Sequence, residues 1–269
     1  MTQAIPRLGL GTYGRTGEAG TAAMLKAIEI GYRHLDTAQS YDTERQVGEA
    51  VRRSGLPRVE VFVTTKVADT HLDKAQFMDS VQRSIDTIGL GAVDLLLIHW
   101  PVKEEVVPFE DYMLALADAQ RRGFTRLIGV SNFPIALVQR TTALLGPGAI
   151  ATNQVEIHPY LQARRLVAHA RSVGLPLTAY QPLAKGEVAG DPVLNRIAER
   201  HGVTSSAVAL AFLMAEGHIV IPASSSEANL RANFRATGVN LDDADMAAIR
   251  PLDRGYRRID PAKSPAWDD

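Results

Sequence analysis

Short apolar runs alternate with longer stretches of helical periodicity from one end of the chain to the other. Runs of strand length fall at residues 8–10, 33–36, 61–65, 94–99, 127–131, 152–155, 177–180 and 219–222. Helical spacing occupies 21–30, 43–54, 74–88, 110–122, 135–145, 161–173, 192–215 with a break at Gly202, and 228–237. The stretch 74–88 is representative, with Phe77, Val81, Ile85 and Ile88 on one face. The run VDLLLIH is apolar without alternation, which marks a strand covered on both faces in a parallel sheet. Eight strand–helix units in succession predict an α/β protein, a (β/α)8 TIM barrel. With no Pro/Gly/Ser-rich linker and no low-complexity segment, residues 1–269 are expected to form a single domain. The tail from Asp242 adds one helical stretch and a proline-bearing extension that includes Trp267.

A barrel of this kind places its chemistry at the C-terminal ends of the strands, where the following loops build the active face. Those ends carry Asp36, Lys66, His99, Asn132, Gln154 with Glu156, Tyr180 with Gln181, and Ser224. Polar groups at nearly every rim of otherwise apolar strands predict a site assembled from many strands.

Composition narrows the partners. The chain has 269 residues, 46% of them apolar, and a formal charge of −1, so no global field draws in nucleic acid or an anionic membrane. Cysteine is absent, which excludes disulfides and thiolate metal sites. The N-terminus lacks the basic and apolar regions of a signal peptide, and no apolar run approaches the ~20 residues of a membrane span. The expectation is a soluble cytoplasmic protein acting on a small molecule.

The stretch GYRHLDTAQSYDTERQVG, residues 31–48, brings Asp36 and Tyr41 to the rim of one strand, and Lys66 and His99 end the next two. A free tyrosine titrates near ~10 and is a weak donor at neutral pH. A neighbouring ammonium favours the phenolate and is expected to lower that value, while Asp36 holds the Lys66 charge in place. His99 would then direct a substrate oxygen toward Tyr41. This set suits protonation of a carbonyl oxygen as hydride reaches its carbon. It does not suit a metal, because one carboxylate, one amine and one imidazole supply too few good ligands.

The same stretch resembles the first signature of the aldo-keto reductases, through Gly31, Tyr32, Arg33, Asp36, Thr37, Ala38, Glu44, Val47 and Gly48. Further matches follow in order: Lys66 in FVTTKV, His99 in DLLLIHWP, IGVSNF, NQVEIHP, Tyr180-Gln181-Pro182-Leu183 and IPASSS. The resemblance implies that Tyr41 is the general acid, that Lys66 and Asp36 tune it, and that His99 orients the carbonyl. It implies that Ser131, Asn132 and Gln154 bond the nicotinamide carboxamide and that Tyr180 stacks on its ring. Gln181, Leu183, Ala223, Ser224, Asn229 and Asn233 would line the pyrophosphate and adenosine end, with Gly11 and Thr12 in the same cofactor site. Tyr13 and Trp100 would wall the substrate pocket beside Tyr41 and His99, with Trp267 a further candidate. The short length, the compact loop after His99 and the ending SPAWDD are most similar to the small bacterial 2,5-diketo-D-gluconate reductases of the B type, which are methylglyoxal reductase-like. The implied activity is NAD(P)H-dependent reduction of small aldehydes, α-keto aldehydes or keto sugars, and the family's commonest form is a monomer.

Several positions depart from the family pattern. Ala223 stands where a lysine is frequent, Asn229 where an arginine grips the 2′-phosphate of NADPH, and Ala232 where an adenine-side glutamate is frequent. Arg and Lys are the residues suited to phosphate. NADP(H) is therefore the default coenzyme, with appreciable NAD(H) use expected. The run Ser224–Ser226 offers hydroxyl donors, Arg231 is a candidate replacement cation, and Glu227 would repel a phosphate if it pointed inward. Leu127 stands where the second signature usually has a charged or amide residue.

Two other readings compete. Gly9-Leu10-Gly11-Thr12-Tyr13-Gly14 satisfies the dinucleotide fingerprint GxGxxG, with Asp36 at a fitting distance. Four residues intervene before any helix begins, however, and the Tyr-x-x-x-Lys pair of short-chain dehydrogenases is absent. The second alternative is a cofactor-binding regulatory subunit of the same fold with little turnover. His34 and His158 are read as structural.

Overall fold

The computed structural model describes residues 4–268, apart from the side chain of Glu105. Among them, eight parallel strands form one sheet in sequence order: β1 (Leu10–Gly11), β2 (His34–Asp36), β3 (Phe62–Val67), β4 (Val93–Ile98), β5 (Thr125–Ser131), β6 (Asn153–Glu156), β7 (Leu177–Tyr180) and β8 (Ile219–Val220). Leu8 forms a parallel bridge with Val220, and the Gly9 and Gly11 amides donate to the Val220 and Pro222 carbonyls. The last strand thus returns to the first, and the (β/α)8 barrel closes without an open edge.

The period of two along each strand divides the apolar residues. In β4, Leu96 and Ile98 join the large cluster between sheet and helices, whereas Leu95 and Leu97 form a separate cluster with Phe62 of β3. Lys66 shares the face of Phe62 and Thr64, which sends its side chain inside the barrel. Interior polar groups pair with one another. His34 Nε2 lies 3.0 Å from Thr64 Oγ1, and the Thr152 and Thr178 hydroxyls are 2.9 Å apart. Burial depresses the His34 pKa to about 4, so this ring is neutral and structural. His158 likewise bonds Glu156, at 3.1 Å.

The outer layer comprises α1 (Gly17–Ile30), α2 (Glu44–Arg53), α3 (Phe77–Ile88), α4 (Phe109–Arg121), α5 (Ile135–Leu145), α6 (Arg164–Ser172), α7 (Pro192–His201), α8 (Ser205–Ala215), α9 (Glu227–Phe234) and α10 (Asp243–Ile249). Gly48 of the signature stretch lets α2 meet α3, since a Cβ there would lie 1.8 Å from the Ile88 carbonyl oxygen. The break at Gly202 falls where expected, with φ 61°, and Thr204 caps α8 by accepting from the Ala207 amide.

Some boundaries differ from the sequence pattern. The first strand is displaced to Leu10–Gly11, with Leu8 held only by its bridge. The stretch 161–173 becomes helical only at Arg164, because Leu161 pairs with His158 and Ala163 takes a left-handed φ of 44°. Helix α3 begins at Phe77, after an Asp73 side chain that accepts from the Ala75 amide. The GxGxxG segment does not open a helix: Arg15 and Thr16 follow Gly14 in a loop. Among the described residues, no helix is long and apolar enough to cross a membrane.

Candidate active site

Residues from the C-terminal rims surround one cavity of about 880 Å³. At its closed end, Lys66 donates to Asp36 Oδ1 at 2.5 Å and to the Thr37 carbonyl at 2.8 Å. Both ionic side chains are buried, and register explains their approach: β2 and β3 are neighbours paired Asp36 to Thr64, two residues before Lys66. Gln154 donates to the other carboxylate oxygen of Asp36 at 2.7 Å. Lys66 Nζ also lies 4.9 Å from the centre of the Tyr41 ring. Tyr41 comes from a 3₁₀ turn, Gln39–Tyr41, that follows β2 and ends at Asp42 in a left-handed conformation of φ 55°.

The Tyr41 hydroxyl is 3.3 Å from His99 Nε2, and the opposite ring nitrogen is 3.4 Å from Ser40 Oγ. Burial lowers the His99 pKa well below its ordinary value, and the Lys66 and Lys263 charges push the same way. His99 is therefore neutral at physiological pH, able to donate through one nitrogen and accept through the other. Burial is also the largest influence on Tyr41, and it raises the phenol pKa against the opposing pull of Lys66. This corrects the expectation of a lowered value: desolvating a phenolate costs more here than the ammonium returns. Tyr41 stays protonated through neutral pH. Burial disfavours the Lys66 ammonium, yet Asp36 and Tyr41 together hold its pKa above the lysine norm.

Beyond this group the cavity wall continues through Ser131, Asn132, Gln154 and Tyr180. Ser131 donates to the Gln154 carbonyl at 2.8 Å, Asn132 donates to the His99 carbonyl at 3.0 Å, and Tyr180 donates to Asn132 Oδ1 at 2.8 Å. Asn132 and Gln181 both adopt left-handed φ values, 64° and 50°, where strands β5 and β7 give way to their loops. Residues held so are common at functional rims.

The cavity runs on past Gln181, Leu183, Ala223 and Ser224 to Asn229 and Asn233 of α9, with Gly11 and Thr12 also in its lining. An elongated space with amide and ring groups at one end and hydroxyl and amide groups at the other fits a dinucleotide. Gly11 lets β1 lie close against the segment that follows β8, because a Cβ would sit 3.0 Å from the Ile221 carbonyl oxygen. Tyr13 and Trp100 also line the cavity, and Tyr13 packs edge-on against Tyr41 at 5.1 Å.

The residues assigned from sequence to catalysis, the cofactor and the substrate walls line the cavity, except Lys66, which lies buried behind it, and the further candidate Trp267. Trp267 does not line it; its ring stands behind Trp100, 6.2 Å away, and its Nε1 donates to Asp260. Arg231 does not reach in either. It donates twice to Glu227 one helical turn earlier, on the exposed face of α9. The sequence pattern missed Ser40, Arg15, Lys185, Ile259 and Lys263, all of which line the cavity. No periodicity or spacing marks them, since they lie on loops and on the tail.

The family model described as "Aldo/keto reductase family" matches residues 7–254. Methylglyoxal reductase DkgB of Escherichia coli O157:H7 is 42% identical over 266 residues, 98% of this chain and 100% of that protein. A crystal structure of a putative 2,5-diketo-D-gluconic acid reductase B superposes with a TM-score of 0.92 at 40% identity, covering 98% of this chain and 94% of that one. The aldo-keto reductase of Bombyx mori, solved in complex with NADP, superposes with a TM-score of 0.89 at 29% identity over 98% and 94%. Closed barrel, rim-borne site and full-length similarity agree: the chain belongs to the aldo/keto reductase family and is an oxidoreductase.

Proposed function

We propose that the protein reduces small aldehydes, α-keto aldehydes or keto sugars to alcohols, with Tyr41 as the general acid. The observation that carries this reading is the Tyr41 hydroxyl beside a neutral His99, above the buried Lys66–Asp36 pair at the closed end of the cavity. When bound, a reduced nicotinamide coenzyme supplies the hydride for the carbonyl carbon. The substrate oxygen is held by Tyr41 and His99, so that negative charge developing on it meets two donors. Tyr41 gives up its proton to that oxygen, and the Lys66 ammonium stabilises the phenolate left behind. Asp36 keeps Lys66 charged, and Gln154 fixes the second oxygen of Asp36. Ser131, Asn132 and Gln154 would hold the carboxamide, and Tyr180 the face of the nicotinamide ring.

At the adenosine end, Ala223 and Asn229 offer no cation, and Arg231 is engaged by Glu227. That favours use of both NADPH and NADH. The similarity to a methylglyoxal reductase and to a putative 2,5-diketo-D-gluconic acid reductase supports methylglyoxal and diketogluconate as candidate substrates.

The test is oxidation of NADPH and NADH by methylglyoxal with wild-type protein and Tyr41→Phe. Loss of a positioned general acid should lower kcat by about 10²–10⁴-fold. Wild type and variant that bind coenzyme yet are equally inert would instead establish a cofactor-binding module.

A further inference from the structure

The substrate end of the cavity contains a cation that the proton-transfer chemistry does not use. Lys263 stands on the C-terminal tail, lines the cavity beside Trp100 and Ile259, and has its ammonium 5.6 Å from the centre of the Trp100 ring. Its charge reaches the reacting groups, since it helps to depress the His99 pKa. Among the described residues its single hydrogen-bond acceptor is Asp69, 2.7 Å away in the turn after β3. An ammonium has three donors, so two remain for other acceptors. Lys66 is already committed to Asp36 and Thr37, and His99 is neutral. Lys263 is therefore a positive charge near the reacting groups that still has donors to offer a ligand.

The tail that carries it is anchored on both sides. Glu156, buried at the end of β6, accepts from the Arg258 and Ile259 amides at 2.7 and 2.8 Å. Further along, Lys103 donates to the Ala262 carbonyl at 3.0 Å, and the Asp268 carboxylate accepts from the Ile135 amide at 2.9 Å. A lysine on a segment fixed at several points presents its charge at a defined place, which lowers the ordering cost of binding.

We infer that Lys263 is a specificity-determining residue that binds a carboxylate on the carbonyl substrate, with Asp69 as the resident counter-ion that the carboxylate partly replaces. This rests on the reading of the cavity as a carbonyl-reducing site. The favoured substrates are then aldehydes and ketones bearing a carboxylate a few bonds from the carbonyl. Lys263 is two-fifths exposed, so the effect is that of a partly solvated pair and not of a buried one.

The experiment compares succinic semialdehyde with butanal, which are similar in length and differ in charge. In Lys263→Met, the ratio of kcat/KM for succinic semialdehyde to that for butanal should fall about fivefold or more, chiefly through KM. In Asp69→Asn the same ratio should rise, because the counter-ion is gone, and Lys263→Arg should retain most of the preference. A second readout needs no turnover. The chain has two tryptophans, Trp100 and Trp267, and both lie at this end. Titration with succinate should change intrinsic fluorescence saturably in wild type and not in Lys263→Met. If the ratio is unmoved in both variants, or falls in both, Lys263 and Asp69 merely brace the tail and the inference is overturned. If wild type reduces neither aldehyde, the carbonyl-reducing reading fails, and the succinate titration alone decides whether the anion site exists.

Discussion

Lys66→Met separates the two jobs that one buried charge performs. The methionine keeps most of the side-chain volume, removes the ammonium, and leaves the Asp36 carboxylate with Gln154 at 2.7 Å as its remaining side-chain donor. Lys66 and Asp36 are both essentially inaccessible. Breaking a buried pair by removing one partner costs about 3–5 kcal/mol, mostly because the other charge stays buried and unpaired. For activity, the relevant length is the 4.9 Å between Nζ and the Tyr41 ring centre. At an effective dielectric of about 20, two charges about 5 Å apart interact by roughly 3 kcal/mol. That is about two pKa units on the phenolate, hence a loss of about a hundredfold in kcat. Denaturant melts give the first quantity, and methylglyoxal reduction at saturating coenzyme gives the second. Adding Asp36→Asn removes the stranded charge, so the double variant should recover most of the lost stability and none of the lost kcat. A Lys66→Met protein within about 1 kcal/mol of wild type and within about threefold in kcat would refute the electrostatic account.

Two further outcomes follow from the same geometry. Placing cations at the adenosine end, with Ala223→Lys and Asn229→Arg together, should raise the NADPH-to-NADH ratio of kcat/KM by about tenfold to a hundredfold; a wild-type preference for NADPH of about a thousandfold or more would show that phosphate recognition lies elsewhere. The second concerns acid. Burial depresses His34 and His218 to about 4 in the folded protein, against about 6.5 unfolded. The fold binds the neutral rings, so their stabilisation is complete above pH 6.5 and is lost as pH falls from 6.5 to about 4. Each ring contributes up to about 3 kcal/mol of this slope. Melts of wild type and His34→Gln across pH 7 to 4.5 should converge as the pH falls, and parallel curves would exclude the histidine.

The Lys66–Asp36 pair and His99 were legible in the sequence for a specific reason. Strand length and alternation fix which residues end a parallel strand, and strand ends in a barrel converge on one face whatever the loops do. The same logic located Asn132, Gln154 and Tyr180, and an unbroken strand–helix rhythm fixed the barrel itself. The hydrogen bond from the Gln154 side-chain amide to Asp36 was not legible, since it joins β6 to β2 across the barrel interior and leaves no trace in spacing.

Loops and tail behave differently because nothing periodic governs them. Asp42, Asn132 and Gln181 turn left-handed without glycine; Lys263 reaches the cavity on a tail that Glu156 helps to pin from a distant strand; and Arg231, a phosphate ligand by position, is taken by Glu227. The direction of the Tyr41 shift belongs to the same class. A nearby ammonium predicts a lowered pKa, but how much water the fold leaves around the phenol is a property of packing in three dimensions. The barrel and the residues at its rim can be read from the chain alone, because both follow from local period. Their ionisation and their charge pairing come from the folded arrangement, because desolvation and long-range pairing depend on what the rest of the chain packs against them.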